Sequence, residues 1–355
     1  MARAMGGTKP GKLEGIEALR GIAAVAVVLY HAARHMDRAH GAPNLMAWFQ
    51  PGHGGVDLFF VLSGFIILHV HRADIDRPER LGRYAWRRFV RLMPIYWIAL
   101  GLTALMLLAG GNAVMPGWFA WSATLLPTHG EPLLGVAWTL QHELLFYAAF
   151  AVLILNRSAG IAVMAAWLLW IGVRTAGVAP GIGPERLSSP YNVEFFLGMG
   201  VAVLLASGRM PRGPGAATLG VALTIANGLA ESLDWIDGYG AVARWTGGVS
   251  AAVLIAGLAA WERERRIVVP AFLRRLGSAS YAIYLFQFIG MGIAWQIWVR
   301  AGLDSPGRIL PAFLFIAVVG VMGGMIAHSL IERPMLGWLR GRDARSGSGR
   351  QAVIQ

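Results

Sequence analysis

Apolar residues run along this chain in blocks of 17 to 23, separated by short polar joints. A block of about 20 residues is what a helix needs to cross the hydrocarbon core of a bilayer. The pattern predicts ten membrane-spanning helices, over 15–35, 52–71, 89–111, 135–155, 159–178, 191–207, 214–231, 241–260, 277–298 and 309–331. Residues 113–134 are also apolar, but Pro116, Gly117, Pro127 and Pro132 interrupt them. They are expected to form an outer loop with a short interfacial or re-entrant element. No internal repeat stands out, and no stretch is long enough for a separate soluble domain. The expected organisation is one transmembrane domain over 1–337 and a basic, disordered cytoplasmic tail over 338–355.

Composition sharpens this to an all-α polytopic membrane protein. Of the 355 residues 56% are hydrophobic and 14% charged, with a mean hydropathy of +0.55, whereas soluble domains carry about a quarter charged residues. The net charge of +12 comes almost entirely from arginine. If the N-terminus is cytoplasmic, 23 of the 31 basic residues fall on cytoplasmic segments and seven, Arg244 among them, on outer ones. That asymmetry predicts an even number of spans and two cytoplasmic termini. It assigns the charge to topology and anionic lipid rather than to nucleic acid. The chain has no cysteine, which excludes disulfides, thiolate nucleophiles and thiolate metal sites. The first apolar block is too long for a cleaved signal and reads as a retained span.

Certain polar residues interrupt the spans. In "LRGIAAVAVVLYHAA", residues 19–33, Arg20 and His31 are eleven apart. At 100° and 1.5 Å per residue they share one helix face, about 16 Å apart along the axis. Ionisable groups inside a span usually face the bundle interior and mark a functional path. Arg20 reaching back to the interface, and a merely packed His31, are the plain alternatives. "GGVDLFFVLSGFIILHVH", residues 54–71, places Asp57 near an outer end and the small pair Ser63–Gly64 mid-span. "RYAWRRFVRLMPIYW", residues 83–97, sets Arg88 and Arg91 three apart on one face, where guanidinium forks can clamp phosphate. Positive-inside charge explains the rest of that run. "GVAWTLQHELLFYAAF", residues 135–150, buries Glu143 in the outer half, at the depth of His31. Glu194 near an outer helix end is a candidate for an acceptor cleft, "ESLDWIDGYG" (231–240) reads as a solvated loop, and Glu332 with Arg333 and Pro334 as the end of the last span.

"LRGIAAVAVVLYH", "GVDLFFVLSGF", "RRFVRLMPIYW", "WTLQHELLFY", "FFLGMG", "SYAIYLFQF" and "IERPM" occur in one order over 13–337. Together they resemble the acyltransferase-3 family of membrane acyltransferases, and "WTLQHELLFY" is most similar to its exopolysaccharide O-acetyltransferase branch. The resemblance implies a ten-helix bundle that takes acyl groups, here acetyl, from cytoplasmic acyl-CoA. It implies a carbohydrate acceptor such as an exopolysaccharide or lipid-linked glycan, and residence in a bacterial inner membrane. The family's arginine–ten–histidine motif falls on Arg20 and His31, its arginine-x-x-arginine on Arg88 and Arg91, its carboxylate on Glu143, and its serine-glycine-phenylalanine on Ser63, Gly64 and Phe65. Two positions depart from it: Gln287 stands where many members carry histidine, and His142 is unusual before Glu143. Some members append a soluble esterase-like domain; without one, the membrane domain is expected to finish the transfer or pass the acyl group on.

The expected mechanism has Arg20, Arg88 and Arg91 holding the donor phosphates and His31 deprotonating the acceptor hydroxyl. Glu143 or Asp57 would hold the imidazole, with an acyl-histidine or a relay through Ser63 as variants. Expected partners are acyl-CoA, the carbohydrate acceptor and membrane lipids, not nucleic acid, with a homo-oligomer left open. No metal is expected, although His31 and His35 have ligand spacing. The rival reading is a transporter or flippase of lipid-linked sugars.

Overall fold

A computed structural model describes residues 13–127, 130–178, 185–264 and 267–339. Thirteen α-helices and short 3-10 or π segments make up these residues, with no strand among them. Long helices follow the apolar blocks: α1 (Glu14–His40), α3 (Gly55–His71), α4 (Leu81–Ala109), α6 (Trp138–Leu155), α7 (Arg157–Thr175), α9 (Tyr191–Ser207), α10 (Gly213–Ser232), α11 (Ala241–Glu264), α12 (Ala271–Arg300) and α13 (Ile309–Ala327). Three short ones lie between them: α2 (Pro43–Phe49), α5 (Pro116–Thr124) within the expected interfacial stretch, and α8 (Glu185–Ser188). Eight helical segments are long and apolar enough to cross a membrane; α9 is a shorter apolar helix. The protein is a multi-pass membrane protein. The basic tail expected beyond the last span falls, from residue 340, outside the described residues.

Local chemistry sets the boundaries. Gly41, in the left-handed region at φ 63°, ends α1, and its N–H caps the Asp37 carbonyl. Asn156 leaves α6 extended and caps α7 by accepting from the Ala159 N–H. α4 begins at Leu81, well before the expected 89, so Arg88 and Arg91 stand two to three turns into a helix rather than at its start. The last helix does not stop at "ERP". Proline cannot donate to the carbonyl four residues back, and a π turn over His328–Glu332 absorbs the mismatch before the helix resumes.

α1 packs along α12 and also meets α3 and α13, while α3 lies against α9 and α11. Side chains such as Leu105, Leu169, Leu314, Val318 and Met322 remain exposed, which places them against lipid. Interior contacts depend on missing side chains. A Cβ on Gly64 would overlap the Phe195 carbonyl oxygen, and one on Gly198 would overlap that of Val61. The two glycines thus let α3 and α9 touch backbone to backbone. Gly21, next to Arg20, does the same for α1 on α12, against Gly277.

Candidate active site

α1, α3, α4, α6 and α12 line one cavity. Its polar lining includes Arg20, Ser63, Arg88, Arg91 and Glu143. Five of the seven residues singled out by sequence therefore converge from four helices. Ser63 donates to the Glu143 carboxylate at 2.9 Å, and the Tyr147 hydroxyl donates to the same oxygen. Arg88 is held by His71 at 2.7 Å and lies over the rings of Tyr84 and Tyr147. Arg20 and Arg91 make no hydrogen bond or ion pair with the described residues. Three guanidiniums thus face one carboxylate. An unmatched cation inside a bundle is costly, so the cavity is built to receive negative charge.

His31 and Asp57 are not part of this lining. The His31 ring lies 4.7 Å from that of Phe288 and 4.7 Å from that of Tyr30. Phe288 is one turn along α12 from Tyr284, and Tyr284 packs on Phe59; both of those line the cavity. Glu143 and Asp57 do not hold the imidazole: among the described residues no hydrogen bond joins either to His31. Equal depth did not bring α1 and α6 side by side, because α3, α4 and α12 stand around the space between them.

Asp57 belongs to a second polar cluster, at the opposite end of α3 from His71. Its carboxylate pairs with Arg244, and the two side chains are 3% and 1% exposed. Arg244 therefore lies inside α11 and not in an outer loop. It also donates to the Gly238 carbonyl, approaches His53 Nδ1 at 3.5 Å and lies 5.1 Å from the Tyr191 ring centre. Gly247 and Gly248 leave the space that Asp57 and Glu194 occupy. Glu194 is buried beside this pair, at the floor of an apolar groove between α7, α9 and α11; it adjoins Asp57 closely enough to interact, yet neither carboxylate oxygen has a partner in full hydrogen-bond geometry. His53 Nε2 lies 2.6 Å from Glu231 Oε1, both buried. The loop expected to be solvated is thus anchored at its first residue, and Ser232 adds a bond to the Ala47 carbonyl.

Sequence reasoning missed Arg244, His53, Glu231 and His71. The last lies 1% exposed between Asp74 and Arg88. The only signal for them was a charged residue or histidine at the edge of an apolar block. Gln287 is buried and donates to the Tyr284 carbonyl at 2.8 Å, so the position that carries histidine in many members of the resembled family serves helix packing here.

Among proteins of known description, the chain is 29% identical over 331 residues to the "Exopolysaccharide production protein ExoZ" of Rhizobium meliloti (strain 1021), covering 87% of this chain and 97% of that one. It is 32% identical over 101 residues to "Protein 2 in picA locus" of Rhizobium radiobacter, covering 28% of this chain and 48% of the relative. It is 32% identical over 85 residues to the "Peptidoglycan O-acetyltransferase OatA" of Listeria monocytogenes, covering 23% of this chain and 12% of the relative. No solved structure matches the chain. The acyltransferase-3 model, described as "Acyltransferase domain", matches residues 13–329, and with that span matched the chain belongs to the acyltransferase-3 family of membrane acyltransferases.

Proposed function

We propose that the protein is an inner-membrane O-acyltransferase that moves an acetyl group from cytoplasmic acetyl-CoA to a hydroxyl of a carbohydrate, an exopolysaccharide or lipid-linked glycan. In this reading residues 1–337 form one catalytic domain with both termini cytoplasmic. The observation that carries it is the convergence of Arg20, Arg88 and Arg91 on one enclosed cavity whose only carboxylate, Glu143, is already engaged by Ser63 and Tyr147. Three cations with open donors suit the phosphates of a nucleotide. The cavity's lining beyond the arginines is largely apolar and aromatic, with Phe59, Phe60, Ile66 and Tyr284, which suits a pantetheine chain better than a nucleotide. The phosphates therefore stay at the arginines, and the pantetheine arm threads outwards. The spacing of Arg20 and His31 along α1, about 16 Å, gives the reach over which that arm extends.

His31 accepts the proton of the acceptor hydroxyl as its oxygen attacks the thioester carbonyl. The C–S bond breaks, and the proton passes to the departing thiolate to give free CoA. A second reading is favoured by one contact. Ser63 already donates to Glu143 inside the cavity, which is the arrangement of a nucleophile and its base. Ser63 Oγ would then attack the thioester, with Glu143 carrying its proton to the thiolate; the acceptor oxygen would next attack the acyl-serine, breaking the Oγ–acyl bond, and Glu143 would return the acceptor's proton to Ser63 Oγ.

Membranes holding the wild type, His31→Ala or Ser63→Ala at matched expression are incubated with labelled acetyl-CoA, and label is followed into carbohydrate. Label with the wild type alone supports the proposal. Full activity of His31→Ala removes the base, and full activity of Ser63→Ala removes the relay. Sugar movement across the membrane without consumption of acetyl-CoA would make the chain a transporter.

A further inference from the structure

His71 is the last residue of α3, buried at the end of the span that faces the arginine-rich segment 72–91. Its Nδ1 lies 2.8 Å from Asp74 Oδ2, and its Nε2 lies 2.7 Å from Arg88 Nη2. Arginine only donates, so Nε2 must be the acceptor and Nδ1–H must donate to Asp74. One tautomer satisfies both bonds, and the carboxylate fixes it, as in the histidine–carboxylate pairs that orient catalytic and metal-binding imidazoles. The Arg88 guanidinium is confined further by two phenol rings, with its carbon 5.8 Å from the Tyr84 ring centre and 5.6 Å from that of Tyr147. Tyr84 in turn stands edge-on to His71 at 5.0 Å. Arg88 Nε is buried without a partner and Nη2 is tied to His71, so Nη1, which has no partner among the described residues, is the donor Arg88 can offer to the cavity it lines.

We propose that His71, oriented by Asp74, is a positioning residue that aims the free Nη1 of Arg88 at the phosphates of the acyl-CoA donor. This rests on the donor role given to Arg88 above. A long, flexible side chain held in its binding conformation loses less freedom when ligand arrives, so the Asp74–His71 pair acts on donor affinity and not on the transfer step. His71 never touches the reacting atoms. A purely structural role, as the hydrogen-bonded terminus of α3, would weaken the fold without singling out the donor.

The test is the KM for acetyl-CoA and the kcat of the full-length protein in detergent, with each variant first shown to be monodisperse. Arg88→Ala raises KM. His71→Leu raises KM on the order of tenfold, the worth of a hydrogen bond to a charged group, with kcat at saturating donor little changed. His71→Gln, whose side-chain oxygen can occupy the place of Nε2, restores most of the loss. His71→Leu placed on Arg88→Ala adds nothing further. If His71→Leu multiplies KM equally in both backgrounds, or lowers kcat with KM unchanged, His71 does not act through Arg88. Should His71→Leu fail to fold, Asp74→Asn gives the same test, with a smaller rise in KM that Arg88→Ala abolishes. An unchanged KM for Arg88→Ala itself overturns the donor role of Arg88 and this inference with it, whereas a raised KM there beside an unaffected His71→Leu overturns the inference alone.

Discussion

Arg244 is the buried cation of the second polar cluster, and its removal has a graded consequence. Its guanidinium faces Asp57, with Glu194 beside them, and all three side chains are nearly inaccessible. Arg244→Met strands two buried carboxylates without a cation. Breaking a buried pair by removing one partner costs about 3–5 kcal/mol, and this variant belongs at the upper end. Asp57→Asn leaves Glu194 as counter-ion and an amide that still accepts a hydrogen bond, so its cost is nearer the roughly 1–3 kcal/mol of one imperfectly satisfied buried group. The double variant is less damaged than Arg244→Met alone, because one of the stranded carboxylates has gone with the cation. Thermal unfolding of detergent-solubilised protein, followed by tryptophan fluorescence, ranks the three, and acetyl transfer is measured on the same samples. The reasoning is refuted if Asp57→Asn destabilises as much as Arg244→Met, or if the double variant is the least stable. An Asp57→Asn protein with wild-type stability and no turnover would return Asp57 to the chemistry beside His31.

Other outcomes follow from single contacts. Gly64→Ala drives a methyl group into the Phe195 carbonyl and lowers stability by about 1–3 kcal/mol, read as a lower unfolding temperature that Gly198→Ala reproduces. Glu143→Gln keeps an acceptor for Ser63 and Tyr147 but removes the charge; under the relay reading turnover drops by about 10²–10⁴, while under the His31 reading it stays within a few-fold. His53→Leu leaves the buried Glu231 without its 2.6 Å partner and costs about 1–3 kcal/mol, visible as faster proteolysis of the loop after α10.

The parts of this molecule that a single sequence discloses are those governed by local physics. Apolar block length located the long helices, eight of which lie in segments long and apolar enough to cross a membrane, and helical spacing placed Arg88 and Arg91 on one face. Chemistry inside an apolar run drew attention to Arg20, Ser63 and Glu143, which the fold brings to one cavity. The failures are pairings across long sequence distance. Arg244 sits 187 residues from Asp57, and Glu231 sits 178 from His53. Before pairing, Arg244 and Glu231 looked like loop charge, because residues at the mouth of a span carry the same signal whether they point into the bundle or into water. Equal depth for His31 and Glu143 was likewise read as contact, yet depth fixes only one coordinate of three. The π turn at His328–Glu332 escaped notice because the pattern shows where proline forbids an ordinary bond and not how the helix accommodates it.

The aromatic layer between the cavity and His31 bears on the energy supply of the cell. Phe59 and Tyr284 line the cavity with ring centres 5.9 Å apart, and Phe288, one turn along α12 from Tyr284, packs on the imidazole. A bacterial membrane stores its working potential as a voltage worth roughly 2.3 kcal/mol per elementary charge for every 100 mV, and a wet path from Arg88 to the outer face would drain it. Under the proposed function these rings would have to part for a thin acyl chain while offering ions and water no charged group to follow. On that reading Phe288→Ala would raise the proton permeability of vesicles holding the protein before it lowered acetyl transfer.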